Sequence, residues 1–326
     1  MNAARVSADS LRLSIVLATD TYETLRPVIQ SLRRQIDREH LEIVIIAPGE
    51  SLGRIDLSQL EGFGAVRVVT VSTPLSLPRA RAAGVRAAST PIVFIGETHC
   101  FPEPDMFNRL LAGFTHEHCA AVVPAIVNAN PKTALSWASY LMDYGGWGPG
   151  RRSGQLENPL KYNGAYRRDV LLELGGRLDD LLDANNEELW PILHRQGYYS
   201  CFARDARANH VNTTKLRIML QIRFCSGALI GAQRARRWSW VRRIMYVVGS
   251  PLIPVVLVLR ARSNIRFGAP GQWLPLGTTL GICVGALTKA IGEALGYLGL
   301  TPSRAENRLT DNELHKLRHA SFRPHD

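Results

Sequence analysis

Apolar residues in the first half of the chain come in short dense runs. Leu13–Thr19 (LSIVLAT), Leu41–Ala47 (LEIVIIA) and Pro91–Ile95 (PIVFI) are too short for buried helices and rich in β-branched residues, so they predict buried strands. Val66–Val71 and Ala120–Ile126 read the same way. The stretches between them have a different period. Glu23–Arg34 places Leu25, Val28, Ile29 and Leu32 on one helical face, Pro78–Ala88 is a small, basic, helix-prone segment, and Glu103–Glu117 predicts another helix. This alternation implies an α/β domain with a mainly parallel sheet. Ligands of such sheets bind at the carboxyl ends of the strands, which puts Thr19-Asp20, Pro48-Gly49 and Glu97-Thr98-His99 along one rim.

The pattern then loosens. Residues 128–165 hold Trp137, Tyr140, Tyr144, Trp147 and the Gly-rich Gly145–Gly154, and they read as a loop or lid. Its aromatics are suited to stacking on a sugar or base, and equally to a core or a membrane face. Val170–Leu182 and Glu187–Gln196 predict helices, and Tyr198–Ala203 a strand. From Leu216 the chain turns basic and apolar. Ile244–Leu259 is broken by Pro251 and Pro254, and Leu274–Leu300 by Lys289 and Glu293. Neither supplies the roughly twenty clean apolar residues of a spanning helix, so both are expected to lie amphipathic or re-entrant in a membrane interface, with spanning as the alternative. After Thr301 the tail is polar, with a helix near Asn312–His319. The expected division is an α/β domain over 1–214, a membrane-associated helical region over 215–300 and a polar tail over 301–326.

Charge sharpens that division. The net charge is +11, and the stretch from Lys215 to Arg266 holds eleven Lys or Arg and no Asp or Glu, so this one segment accounts for the whole excess. Because arginines flank apolar runs there, the expected partner is an anionic membrane surface rather than nucleic acid. A solvated basic face beside a buried helix is the plainer alternative. Five scattered cysteines without a CxxC pair suit a reducing compartment. Met1–Arg12 lacks the apolar core of a secretory signal, which points to the cytoplasmic face of the membrane.

The order of these elements and their motifs resembles glycosyltransferase family 2. SIVLATDTYETLRPVIQSLRRQ is similar to its opening strand, turn and helix, and LEIVIIAPGE stands at its second strand. PRARAAGVRAASTPIVFIGETHCFPEPDMFNRLLAGF resembles its helix, central strand and metal-binding turn. YNGAYRRDVLLELGGRLDD resembles the acceptor-side segment, and ARANHVN the late His-bearing strand. The similarity covers roughly residues 11–212. It implies a GT-A-like α/β fold and transfer of a sugar from a nucleotide-sugar donor, here in a bacterial, membrane-associated subgroup with an E-x-H turn. Where the family usually has Asp-x-Asp, this chain has Glu97-Thr98-His99. Its acidic turn after the second strand is Ala47-Pro48-Gly49-Glu50, and its Glu-Asp base segment is Asn185-Asn186-Glu187-Glu188.

Sugar transfer needs a neutralised diphosphate leaving group and an acceptor hydroxyl that loses its proton. Glu97 and His99, two apart on a turn at a strand end, offer an oxygen and a nitrogen ligand that together suit Mn²⁺ better than Mg²⁺. The resemblance implies His210 as a third ligand. The same turn could hold His99 as a hydrogen-bonded cap instead. Arg79 and Arg81, before the central strand, are candidate diphosphate donors. Thr19, Asp20 and Glu50 are candidates for the nucleotide, though acidic residues after strands also serve as caps. Glu187 is the favoured base, with Glu188 beside it; acidic residues also favour helix N-termini for dipole reasons alone. Asp179, Asp180 and Asp183 are alternatives for the base. Lys161, Tyr162 and Asn163 are placed to meet an acceptor or lipid phosphate. The activity expected is an inverting, metal-assisted transfer to a lipid-linked or membrane-proximal acceptor. Two rivals are a catalytically inactive scaffold of the same fold and a nucleotidyltransferase. The turn Asp20-Thr21-Tyr22-Glu23, with no Gly-rich phosphate loop, disfavours the second.

Overall fold

A computed structural model of the chain describes residues 11–52, 56–73, 75–320 and 322. Of the N-terminal stretch Met1–Arg12, only Leu11 and Arg12 are among these residues. In chain order the strands are β1 (Leu13–Ala18), β2 (Leu41–Pro48), β3 (Ala65–Val71), β4 (Ile92–Gly96), β5 (Cys100–Pro102), β6 (Cys119–Asn128), β7 (Gly154–Leu156), β8 (Gly164–Arg167) and β9 (Tyr199–His210). The helices are α1 (Tyr22–Leu32), α2 (Gly49–Leu52), α3 (Leu77–Ala87), α4 (Met106–Leu111), α5 (Ala134–Asp143), α6 (Arg168–Leu172), α7 (Leu178–Leu181), α8 (Leu189–Arg195), α9 (Leu216–Ala235), α10 (Trp240–Gly249), α11 (Leu252–Gly268), α12 (Thr278–Tyr297) and α13 (Ala305–Leu314). The strands join in one sheet of order β3-β2-β1-β4-β8-β6-β9-β5, with β7 paired to β9. Two compact units result: residues 1–125 with 152–209, and residues 126–151 with 210–326.

In the first unit, β3, β2, β1 and β4 are parallel, with Ile15 level with Ile43 on one side and Phe94 on the other. Beyond β4 the direction changes, because β8 runs antiparallel to both β4 and β6. The parallel half carries the expected rim, and the antiparallel half brings later parts of the chain beside it. Every residue of β1, β2 and β4 is buried, as the continuous apolar runs require. β3 is an edge strand with a half-exposed pattern. Helix α3 lies tight on the sheet at Gly84, where a Cβ would fall 2.4 Å from Val16 Cγ1 and 2.6 Å from Ile46 Cδ1. Glu42, fully buried on β2, accepts from Ser14 Oγ at 2.5 Å, the Ser89 amide at 2.8 Å and Arg67 Nε at 3.3 Å. That network ties β1, β2, β3 and the turn before β4 together at the end of the sheet opposite the rim. Burial would raise the Glu42 pKa, but these hydrogen bonds outweigh it and hold the carboxyl below its ordinary value.

Several expected elements differ. Residues 128–165 are no open lid: they contain α5, a 3₁₀ turn at Gly145–Trp147, β7 and β8. Trp137 and Tyr140 are core residues, their rings edge to face at 5.7 Å, and the Tyr140 hydroxyl donates to Ile126 O at 2.7 Å. The helix expected over Glu103–Glu117 shrinks to α4, since Gly113 follows closely. The one expected over Val170–Leu182 is split by Gly175 in the left-handed region, φ 57°. The helix expected from Glu187 starts only at Leu189, leaving both glutamates before it. The last strand continues to His210, well past Ala203.

In the second unit, α9 and α12 pack along glycines. A Cβ on Gly227 would lie 2.1 Å from Lys289 O, on Gly231 2.3 Å from Glu293 O, and on Gly296 2.3 Å from Ala228 O. The pair is also tied by Arg234 to the buried Glu293 at 2.6 Å. Among the described residues, α12 is the one single helix long and apolar enough to cross a membrane, and 44% of its apolar window is buried inside the protein. Helices α10 and α11 form a pair bent by 60°.

Candidate active site

Strand β4 ends at Gly96, and the next three residues turn the chain into β5. Two of the three are buried ligating groups: Glu97 is 5% exposed and His99 1%. His99 Nε2 lies 3.6 Å from Glu97 Oε2. Glu97 and His99 thus offer a carboxylate oxygen and an imidazole nitrogen side by side, donors that suit a divalent cation. In the second unit, His210 closes β9 and is fully buried.

Two of the three candidate ligands have a support. Asn163 precedes β8 at φ 54°, in the left-handed region that Asn tolerates better than most residues. Its amide donates to Glu97 Oε2 at 2.6 Å, its Oδ1 accepts from the Glu97 N–H at 3.2 Å, and its own N–H donates to Ile95 O at 2.7 Å. Thus one side chain fixes both the carboxylate and the backbone of the turn. His210 Nδ1 sits 3.1 Å from Asn212 Oδ1, a contact that assigns the proton to Nδ1 and leaves Nε2 to ligate. Asn212 is held in turn: its N–H donates to Asn130 Oδ1 at 2.9 Å and its amide to Asn128 Oδ1 at 3.0 Å. The Tyr144 ring lies 4.0 Å from that of His210, centroid to centroid.

Two other parts of the first unit concern the expected site residues. At the carboxyl ends of β1, β2 and β3, Asp20, Thr21, Tyr22, Pro48, Glu50, Ser51, Thr73 and Leu75 line a cleft of about 420 Å³. Asp20 and Glu50 therefore stand in one cleft, as the rim argument requires. Ser51 Oγ donates to the Asp20 carbonyl and closes its floor. Thr19 is buried behind it, its hydroxyl donating to Thr21 O at 2.7 Å. The described lining residues bear carboxylates, hydroxyls and a phenol, which suit the uncharged end of a nucleotide.

The two arginines of α3 separate. Arg79 is exposed, whereas Arg81 is 4% exposed with its guanidinium 3.6 Å from the centre of the Tyr162 ring. Beside Tyr162, the buried ammonium of Lys161 donates to Asp183 O at 2.5 Å and to Asn186 O. The Tyr162 hydroxyl donates to Leu182 O. Burial pulls the Lys161 pKa down to about 8, against the opposing pull of Asp183 and Glu187. Residues 182–187 are thereby anchored next to Arg81. Glu187 is exposed at the end of this anchored segment; Glu188 is half-buried, with its N–H on Asn186 Oδ1 at 2.9 Å. Asp179 is engaged with Arg86 at 2.7 Å and Asp183 Oδ1 with the Asn185 N–H at 2.8 Å.

Sequence reasoning missed the supporting asparagines. Asn163 was grouped with the acceptor-side residues, and Asn128, Asn130 and Asn212 were passed over. The only signal for the last three was the spacing Asn128-x-Asn130 and His210-x-Asn212, which has meaning only once the two segments meet.

Residues 14–175 match the family described as Glycosyl transferase family 2. Comparison with curated protein sequences finds no match. Among solved structures, the mannosyltransferase PcManGT from Pyrobaculum calidifontis, in complex with GDP-Man and Mn²⁺, superposes with a TM-score of 0.51 at 15% identity, covering 94% of this chain and 87% of that one. GalNAc-T7 with UDP, GalNAc and Mn²⁺ gives a TM-score of 0.46 at 16% identity over 65% of this chain; the match spans about half, 47%, of that protein. At such identities the likeness bears on fold alone. Residues 14–175 of this chain are a glycosyltransferase family 2 domain on a GT-A-like α/β fold.

Proposed function

We propose that this protein transfers a sugar, with inversion and with the help of a divalent cation, from a nucleotide-sugar donor to a lipid-linked or membrane-proximal acceptor at the cytoplasmic face of a membrane. The observation that carries this is the buried pair Glu97 and His99, its carboxylate held by Asn163, at the strand end where a donor diphosphate arrives in this class of fold, with His210 as the third ligand that the family resemblance implies. A cation bound there supplies positive charge to the diphosphate as the glycosidic bond breaks. Two imidazole nitrogens in the set favour Mn²⁺ over Mg²⁺.

The chain's own residues do the rest. Asp20 and Glu50 hold the nucleoside in their cleft by accepting its N–H and O–H groups. Arg81, fixed by Tyr162, offers a second cationic contact for the leaving phosphates, and Arg79 a solvent-exposed one. Glu187 takes the proton from the acceptor hydroxyl as it attacks the anomeric carbon from the face opposite the leaving group, which inverts the configuration. Lys161 keeps Glu187 in place through the carbonyls of Asp183 and Asn186. The basic, apolar part of the chain beyond about Lys215 holds the enzyme at the bilayer, and deleting it releases the protein to the soluble fraction.

The test is nucleoside diphosphate release from a panel of nucleotide-sugars with a bacterial lipid extract as acceptor, with and without Mn²⁺. Release that needs the cation and disappears in Glu97→Gln and in His210→Ala supports the reading. A folded protein that neither releases nor binds any nucleotide would leave a scaffold with the family's fold.

A further inference from the structure

We infer that the bent pair α10–α11 is a wedge lying in a single leaflet of an anionic bilayer, entering and leaving through the same headgroup layer. The inference rests on the reading that the C-terminal region meets a membrane, and it decides how.

The first observation is a stripe. Val241, Met245, Val248, Leu252, Val255 and Leu259 are all exposed, five of them by more than 60%. Their spacing is 4, 3, 4, 3 and 4 residues, so they form one continuous face that runs through the break between the two helices. A stripe of this size open to water marks an interaction surface. The second observation is charge. Arg242 and Arg243 stand at one end of the apolar run, Arg260 and Arg262 at the other, and no acidic residue occurs from Lys215 to Arg266. A second copy of this chain would oppose those arginines with its own, whereas anionic headgroups complement them.

The third observation is length. Between Arg243 and Arg260 the arms run from Ile244 to Gly249 and from Leu252 to Leu259, about 9 Å and 12 Å at the helical rise. Bent by 60°, they separate the two arginine pairs by about 20 Å, well short of the roughly 30 Å hydrocarbon core. Spanning would drag arginines into the core, at a cost of about 3 kcal/mol each. Laid with both arginine pairs in the headgroups, the bend instead reaches about 5 Å below them. That is the depth at which interfacial helices settle. Helix α12 is engaged separately, packed along α9 by its glycine contacts and by the pairing of Arg234 with the buried Glu293.

The test uses the full chain with its five cysteines replaced, bound to sealed vesicles of phosphatidylcholine and phosphatidylglycerol. Single cysteines are placed at either end by Ser239→Cys and Ser263→Cys and at the bend by Val248→Cys. The wedge requires that an impermeant maleimide label both end positions from outside. It also requires that bimane at position 248 be quenched more by a headgroup-proximal nitroxide lipid than by one near the bilayer centre. Protection of one end until detergent is added would mean a span and overturn the inference, as would an unquenched bimane on protein that still floats with the vesicles. Pure phosphatidylcholine should bind more than about tenfold more weakly, and equal binding would remove the anionic partner. Failure to float with either vesicle would instead refute the membrane reading itself.

Discussion

Replacing Asn163 with glycine separates the geometry of the metal turn from the stability of the fold. Asn163 makes a charge-assisted hydrogen bond to Glu97 Oε2 at 2.6 Å and accepts the Glu97 N–H at 3.2 Å, all in a buried setting. Losing the first removes about 1.5–3 kcal/mol and the second about 1 kcal/mol. Glycine at φ 54° returns about 1 kcal/mol, because the left-handed region no longer strains a Cβ. The expected net loss is about 1.5–3 kcal/mol, small enough for most domains to stay folded. Cation affinity should suffer separately. A carboxylate freed from its supporting partner typically loses ten- to a hundredfold in metal affinity, or about 1.4–2.7 kcal/mol. Titrating Mn²⁺ while following the EPR signal of the free ion measures this directly, with circular dichroism to establish folding and Glu97→Gln as the variant that should not bind. A folded Asn163→Gly protein that binds Mn²⁺ within about twofold of the parent would refute the assignment of Asn163 as the residue that aims Glu97.

Three further outcomes follow from other parts of the molecule. Glu42→Gln should lower stability at neutral pH by about 2 kcal/mol in urea unfolding, because the hydrogen bonds from Ser14, Ser89 and Arg67 lose their charge. Since the folded carboxyl titrates below its ordinary value of 4.5, its contribution is full above that pH and is lost as pH falls through the folded value. The difference between parent and variant should therefore shrink on acidification; a gap independent of pH would contradict the network. Gly231→Val should force α9 from α12, where even a Cβ meets Glu293 O at 2.3 Å, and destabilise the protein by about 3 kcal/mol in thermal unfolding. Lys161→Met keeps the buried stem but frees the carbonyls of Asp183 and Asn186, so kcat should fall about tenfold to a hundredfold with the donor KM unchanged; an unchanged kcat would detach Glu187 from the base role.

The parallel half of the sheet was legible because its strands are buried on both faces. LSIVLAT, LEIVIIA and PIVFI carry no polar face to confuse the period, and their ends fell within a residue or so of the observed ones. The segment 128–165 was not legible for the opposite reason. Its strands β7 and β8 are three and four residues long, too short to show any period, and its glycines resemble those of an open loop. Helix α5 was hidden because its buried face is Trp137, Ala138, Tyr140 and Leu141, a mixture in which aromatic residues suggested ligand stacking rather than core. Likewise Gly175 stops a periodic apolar run that continues on both sides of it, and no count of apolar positions reveals that stop.

The site was legible only where it is local. Glu97 and His99 are neighbours in sequence and follow a strand, so a ligating turn could be read there. His210 closes β9 more than a hundred residues later, where no spacing links it to that turn, and only the family resemblance pointed to it. Its chemistry then departs from the usual Asp-x-Asp in a definite direction. In the proposed ligand set, Glu97 with two neutral imidazoles would carry one negative charge where two carboxylates carry two. A divalent ion held there would keep one net positive charge and attract a diphosphate more strongly. Imidazoles also replace water-seeking oxygens with nitrogen donors that tolerate deep burial, in keeping with exposures of 1% and 0% for His99 and His210. The single remaining carboxylate must then be aimed well, since no second one shares its work. This is the physical reason that Asn163, held in a left-handed conformation, grips both the backbone and the side chain of Glu97.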